Sequence, residues 1–341
     1  MWDASKCDLC GDCLVKCRYV DYDLDKAISE IKLLMEGKAA DILEACITCN
    51  ACFQYCPSGA DPADLIYKMQ EKIGTGPIAT SFKPVVASVI KTFEHGSRDV
   101  QVIEGDPDKP ALSFDSFPFT QFPDGTLESS MFKGMTVVRG RKYASLVGMA
   151  HMGGQSLAEK YCRNVIDSLA ELGKDIVYIH NEGYFLAHVK ARELGIDVPY
   201  RYMHLFEYIR DYLMNNPNGI IRLNKRVAYQ PNCAVRWFPQ QNVWLDEIFE
   251  LIGVARVSRK YEGVEALCCA GPALVVNSEL AMSIQNDNIK DAMDNDAEAL
   301  ITICPMCDGV LRGETSKAGL PQIFITDLFR MAMGEVSWPA G

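Results

Sequence analysis

Eight cysteines in the first 56 residues of this 341-residue chain fall into two runs of one pattern. Cys7, Cys10, Cys13 and Cys17 form C-x2-C-x2-C-x3-C, and Cys46, Cys49, Cys52 and Cys56 repeat it, the second run closing on Pro57. Three thiolates at that spacing sit on one tight loop and converge on three corners of a cube, while the fourth points away to the other cluster. The pattern predicts two [4Fe-4S] cubes, one held by Cys7, Cys10, Cys13 and Cys56, the other by Cys46, Cys49, Cys52 and Cys17. Zinc and disulfides are the competing uses of such thiols, and two intact copies in so short a stretch weigh against both. Arg18 stands where the second run has its proline. The turn after Cys17 is thus less rigidly set, and a cation there is expected to raise the cluster's potential.

Five more cysteines mark the C-terminal part: Cys233, the adjacent pair Cys268 and Cys269, and Cys304 with Cys307. Thirty-four residues separate Cys233 from Cys268, and 34 separate Cys269 from Cys304. Each position follows a stretch that reads as a strand: Val227 to Gln230, Val264 to Leu267, and Leu300 to Ile303. Loops at the carboxyl ends of parallel strands converge on one crevice, so five thiolates are expected at one spot. A zinc site or a redox dithiol is the plainer use of such a set. The fourteenth cysteine, Cys162, has no partner by spacing and reads as a buried small hydrophobe.

Between the first two runs, Leu24, Ile28, Ile31 and Met35 recur at helical spacing, Gly37 breaks the pattern, and Ala39 to Ala45 resumes it. Residues 74–134 are rich in Gly, Pro, Ser, Asp and Phe, with only Pro84 to Phe93 helical in pattern. They read as a docking linker in which Phe114, Phe117, Phe119 and Phe122 are buried staples.

From about residue 140 the chain repeats itself. The helix Leu157 to Leu172 and strand Ile176 to Ile179 match the helix Leu280 to Met293 and strand Ala299 to Ile303. Gly148 and Gly271 are 123 residues apart, as are Phe206 and Phe329. The alternation argues for a parallel sheet in each copy. The expected fold is α+β/α/β: an α-helical ferredoxin domain over 1–75, a docking linker over 76–134, and two pseudo-equivalent α/β lobes with parallel sheets over 135–218 and 219–341.

A shift of 123 or 124 residues puts Ser145 and Leu146 opposite the Cys pair, His180 opposite Cys304 and Gly183 opposite Cys307; Cys233 falls opposite Pro110, where the alignment is not secure. The first lobe therefore lacks a thiolate set and is expected to hold no cluster. His180 reads as the catalytic candidate, with three readings open: a ligand, a proton donor facing the cluster, or a satisfied loop histidine. His151 and His204 are weaker candidates.

Charge and hydropathy bound the partners. Lys plus Arg number 34 against 45 Asp plus Glu, a net charge of -11 that repels phosphate backbones and anionic membrane surfaces, so nucleic acid is excluded. The apolar runs Pro84 to Ile90 and Ala266 to Val276 fall short of the ~18 residues of a spanning helix. The N-terminus has neither a basic nor an apolar leader region. The expectation is a cytoplasmic protein, without direct membrane insertion and membrane-associated only through a partner subunit. In a reducing compartment its 14 thiols point to metal or redox chemistry rather than disulfides.

Over residues 1–75 the chain resembles the helical ferredoxin domains found in the iron-sulfur protein of succinate dehydrogenase and in the ferredoxin-like component of heterodisulfide reductase. At Cys233, Cys268-Cys269 and Cys304-Pro-Met-Cys307 it resembles the CCG-domain family, whose pattern is one Cys, an adjacent Cys pair and a C-x-x-C at such intervals. Nearly the whole chain is similar to the D-type heterodisulfide reductase proteins, in which the ferredoxin-like and CCG-bearing components are fused. Relatives that share the layout include the K subunit of the sulfite-reductase-associated membrane complex, the C subunit of anaerobic glycerol-3-phosphate dehydrogenase and lactate-utilisation proteins.

The resemblance implies a third iron-sulfur cluster, a non-cubane [4Fe-4S] held by all five cysteines. It also implies an oxidoreductase component of an anaerobic complex that relays electrons through the cubes to a site where a disulfide, thiol or sulfur substrate is reduced or oxidised. The implied partners are other redox subunits: a flavoprotein, a hydrogenase-type or a membrane cytochrome subunit. The alternative is a pure electron-transfer protein serving a partner's flavin, heme or quinone. Two departures stand out: Ala270 replaces the family's glycine, and the first lobe's thiolates are missing. A one-centre enzyme would need a proton donor for the second thiolate, a role open to His180.

Overall fold

Each N-terminal cysteine run bends through a residue in the left-handed region before a short helix. Gly11 (φ 76°) precedes the helix Asp12–Val15, and Asn50 (φ 63°) precedes Ala51–Tyr55. At Gly11 a Cβ would also come within 2.8 Å of the Leu24 side chain, so glycine is required twice over. The structure is a computed structural model and describes residues 1–74, 82–96, 99–115 and 122–339.

Between the runs the helix Leu24–Met35 forms as its periodicity predicts, capped by Asp23, whose carboxylate accepts from Lys26 N at 2.8 Å. It buries Ala27, Glu30, Ile31 and Leu34, while Leu24 and Met35 are exposed. The buried face is rotated from the apolar stripe because Glu30 is satisfied inside, accepting from Ile42 N and pairing with Lys26, each at 2.8 Å. The helix Pro62–Ile73 closes the module. Its Tyr67 hydroxyl donates to Asn50 Oδ1 at 2.6 Å and accepts from Asn50 N at 3.0 Å, which pins the second cysteine loop.

Two sheets follow. β1 (Gln101–Ile103), β2 (Ala111–Ser113), β3 (Thr136–Arg139), β4 (Ile176–Tyr178) and β5 (Tyr202–His204) form the first, in the order β1-β3-β2-β4-β5. β6 (Lys225–Gln230), β7 (Val254–Arg256), β8 (Ala299–Thr302) and β9 (Gln322–Phe324) form the second, in the order β7-β6-β8-β9. Every pairing is parallel except that of β1 with β3. The four-stranded units β3-β2-β4-β5 and β7-β6-β8-β9 correspond, so the chain is a helical module followed by two α/β lobes with parallel sheets, as the alternation predicts. One apolar core runs through both lobes, taking in Val138, Ile176 and Phe206 from the first and Val227, Ile301 and Phe329 from the second.

Three expectations change. The segment read as a docking linker supplies β1 and β2, and β2 is an interior strand with all three residues buried. A three-residue strand is too short to show a period. The segment does staple the lobes: Phe114 meets Phe122 edge-on at 4.7 Å, and Phe122 meets Phe324 of β9 at 6.1 Å. Phe117 and Phe119 lie outside the described residues.

No strand forms at Val264 to Leu267; the loop carrying the Cys pair leaves β7 and passes through a 3-10 turn at Gly263–Glu265. The last strands are also offset differently from the rest. Val177 pairs with Met203 and Leu300 with Gln322, a spacing of 119 rather than 123, so Phe206 and Phe329 are not equivalent.

Candidate functional sites

Cys7, Cys10, Cys13 and Cys56 line one small cavity together. Burial first, then the neighbouring thiols of Cys56, Cys10 and Cys7, pushes the Cys13 thiol up to about 12. Burial and Cys49 likewise push Cys17 up to about 11, and Cys52 is raised by burial and then by Cys46, Cys49, Cys13 and Cys17. The first predicted set thus shares a cavity, and Cys17 lies close enough to Cys46, Cys49 and Cys52 for their charges to act on one another. Burial keeps such thiols protonated until a metal displaces the proton.

The five C-terminal cysteines line a single cavity of about 400 Å³. Cys233 opens the turn after β6, where the Asn232 side chain accepts from Val235 N at 3.1 Å. Cys268 and Cys269 precede Ala270, which sits at φ 60°, the conformation for which glycine is the easier residue. Cys304 caps the helix Pro305–Ala318 after β8, and Cys307 lies in its first turn. The helix N-terminus favours negative charge there.

Cys304 is held below its ordinary value, first by the hydrogen bond from Cys307, then by His180 against the effect of burial. Cys269 is lowered by hydrogen bonds from Cys268 and Cys307. Burial leads in raising Cys233. Among the described residues no group of three or more His, Cys, Asp or Glu is arranged around a single metal ion. Thiolates that each bind a different iron of a cluster need not share one point. A donor set of five thiols around a cavity of this size fits an iron-sulfur cluster.

In the first lobe the equivalent place is taken by a carboxylate. Asp115, just past β2, accepts from His180 N at 3.0 Å and from Gly183 N at 2.5 Å. These are the positions opposite Cys304 and Cys307, and a Cβ on Gly183 would lie 2.3 Å from Asp115 Oδ2. By strand register Cys233 corresponds to residue 117, outside the described residues, rather than to Pro110.

His180 is buried beside Cys304 but does not line the cavity. It caps the helix Asn181–Phe185, which turns its Nε2 to Asn232 Nδ2 at 2.9 Å. Burial opposes its charged form, yet the Cys304 thiolate, Glu182 and Asp115 raise it to about 9. His204 lies deeper, its Nε2 2.6 Å from Asn181 Oδ1, and burial lowers it to about 3. Cys162 is fully buried in the core.

The first-lobe residues that do line the cavity are Gly148, His151, Met152 and Glu182. Sequence reasoning missed Glu182, whose carboxylate accepts from Gly148 N at 3.2 Å and is raised by burial. Its proximity in sequence to His180 was the available signal.

Cys49 lines the same cavity, so the second predicted cube borders the third site. The N-terminal helical module is fastened there: Asn50 Nδ2 donates to Cys233 O at 3.1 Å, and Cys268 N donates to the Tyr19 hydroxyl at 3.3 Å. Arg18 faces the second lobe, paired with Glu265 and lying 5.3 Å over the Tyr261 ring. Its charge serves docking.

Residues 227–312, which contain all five of these cysteines, match the family model described as CCG, a cysteine-rich domain. The match places a cysteine-rich stretch of the CCG kind within the C-terminal lobe. No curated protein matches the chain. A solved structure described as a hypothetical protein from Helicobacter pylori is similar, with a TM-score of 0.55 and 14% identity over 90% of this chain and 64% of that one. At that identity the likeness shows the fold alone, and this chain spans less than two thirds of that protein's length. Among the described residues no helix is long and apolar enough to cross a membrane.

Proposed function

We propose that the chain is a redox component of the heterodisulfide reductase D type. Cys7, Cys10, Cys13 and Cys56 would hold one [4Fe-4S] cube, and Cys46, Cys49, Cys52 and Cys17 the other. Cys233, Cys268, Cys269, Cys304 and Cys307 would hold a third, non-cubane cluster at which a disulfide, thiol or other sulfur substrate reacts. The observation that carries this reading is the shared cavity, which Cys49 and all five C-terminal cysteines line together. When bound, the clusters supply one-electron carriers and iron sites with affinity for sulfur.

This chain's own residues supply the rest. Phe82, Val85, Met152, Val275 and Met306 form an apolar wall that cluster ligation does not require, and the cavity's volume lies in the range of small-molecule sites. Glu182 presents a carboxyl group to the cavity, and the Arg236 guanidinium that also lines it is engaged by Gln54, Val264 O and Ala266 O, so the apolar wall favours an apolar thiol or disulfide. Cleaving a disulfide takes two electrons and two protons to give two thiols. Glu182, which burial biases toward its protonated form, is placed to hold one of those protons, a role the sequence assigned to His180. The electrons would come from a partner redox subunit, a flavoprotein, hydrogenase-type or membrane cytochrome subunit, in the cytoplasm or at a membrane through that partner.

The test is metal analysis with electron paramagnetic resonance on anaerobically purified protein. Three clusters require about twelve iron per chain, and an apolar disulfide or its thiol should perturb the third signal only. Cys268→Ala should remove that signal and leave the cubes. Eight irons with zinc in the C-terminal site would overturn the reading. A third signal indifferent to thiols, with turnover only when a partner protein is added, would instead establish a pure electron relay.

A further inference from the structure

The ferredoxin loop, the first lobe and the third site meet at one side chain that the proposed function leaves unused. His151 lies in the 3-10 turn Val147–Met152 of the first lobe. Its Nδ1 is 2.7 Å from Thr48 Oγ1, and its Nε2 is 3.0 Å from Cys233 Sγ. Thr48 is fully buried between Cys46 and Cys49, and its backbone N–H points at Cys46 Sγ, 3.4 Å away. One imidazole thus spans from the loop of the second predicted cube to a thiol of the third site.

We infer that His151 is a positioning residue for the third centre: its Nε2–H donates to the Cys233 thiolate, while Thr48 holds the ring through Nδ1. The inference rests on the proposed role of Cys233 as a cluster ligand. A ligand thiolate only accepts, so the ring nitrogen facing it carries a hydrogen. Thr48 Oγ1 both donates and accepts, and it lies 2.7 Å from Ile47 O as well. It therefore satisfies Nδ1 in either protonation state of that nitrogen and fixes the plane of the ring.

A hydrogen bond to a ligand sulfur withdraws charge from it and raises the cluster's reduction potential, and such outer partners set ligand orientation. The bridge is also a bonded path between the second and third centres that does not cross the cavity. Through His151 the lobe without thiolates retains a role in the chemistry of its neighbour.

The experiment is a redox titration of the cluster-loaded full chain, followed by electron paramagnetic resonance, for wild type, His151→Phe, His151→Gln, Thr48→Val and Thr48→Ser. His151→Phe should shift the third centre's potential to more negative values and leave the first cube unchanged. Thr48→Val should shift the third centre the same way by a smaller amount, and Thr48→Ser should restore it. Histidine labelled with 15N should give a hyperfine coupling at the third centre that His151→Phe abolishes.

Should His151→Phe fail to load the third cluster, loading restored by His151→Gln, which keeps an N–H donor, would support the assignment, and loss in both variants would overturn it. A third centre whose potential and 15N coupling are indifferent to His151→Phe would also overturn it. If wild type itself binds only the iron of two cubes, the proposed function fails instead.

Discussion

Asp115 illustrates how one residue decides what a crevice can hold. Burial raises its carboxyl to about 7, even though His180 and the N–H groups of His180 and Gly183 favour its charge. In the unfolded chain the same group titrates near 4. The folded state therefore binds the proton more tightly, and the stability linked to it is complete below about pH 4 and lost as the pH rises through about 7. Urea midpoints measured from pH 4 to 8 should show that decline in wild type and a flatter profile in Asp115→Asn. Equal slopes in the two proteins would show that Asp115 does not titrate there. At this scale the sequence revealed the thiols, because their type and spacing carry the chemistry. It did not reveal Asp115, because nothing in the sequence marks that carboxylate as buried, and for Glu182 it offered only the neighbouring His180.

Elements were legible where an apolar run or a helical period stands between clear breaks. The helices Leu24–Met35 and Ser278–Asp294 and the strands β4, β6 and β8 were read correctly in type, because each repeats its pattern or stands between clear breaks. β2 and β7 have three residues each and were missed. Val264 to Leu267 carries a buried leucine for another reason: Leu267 packs with Ile47 and Tyr55 of the N-terminal module, so a loop was read as a strand.

The two helices that follow β4 and β8 offer a direct comparison. In Gly183→Ala the new Cβ would lie 2.3 Å from Asp115 Oδ2 and 2.5 Å from Asp115 Cβ. Because Asp115 is held by the His180 and Gly183 N–H groups, the crowding should cost about 1–3 kcal/mol. At Gly309, in Pro305–Ala318, a Cβ meets nothing within 4 Å. Gly309→Ala should therefore stabilise by up to about 1 kcal/mol. Denaturant midpoints of the two variants should move in opposite directions, and a shared sign would refute the packing argument.

On the scale of the molecule, the N-terminal helical module is clamped between the lobes. Toward the first lobe, the Met1 amino group pairs with Glu193 at 2.9 Å, Lys68 with Glu159 at 2.9 Å, and Gln155 Nε2 donates to Asp64 Oδ1 at 2.6 Å. Toward the second, Phe53 meets Trp237 edge-on at 6.3 Å. The buried Arg236 donates to Gln54 Oε1 at 2.5 Å, to Val264 O at 3.2 Å and to Ala266 O at 2.5 Å.

Exposed pairs in this clamp contribute little singly. Arg236 differs, because truncating it strands acceptors on both sides of the joint, at a cost of about 2–3 kcal/mol. Lysine cannot reproduce the fork that reaches three acceptors, so Arg236→Lys should recover only part of the loss. If this guanidinium couples the module to the lobe, calorimetry should give one transition for wild type and an earlier, separate transition of the N-terminal module for Arg236→Ala. The magnetic interaction between the proposed second and third centres should weaken in the same variant, since the joint that separates at lower temperature is the one that sets their spacing. A single, unshifted transition in Arg236→Ala would place the coupling in the first-lobe contacts instead.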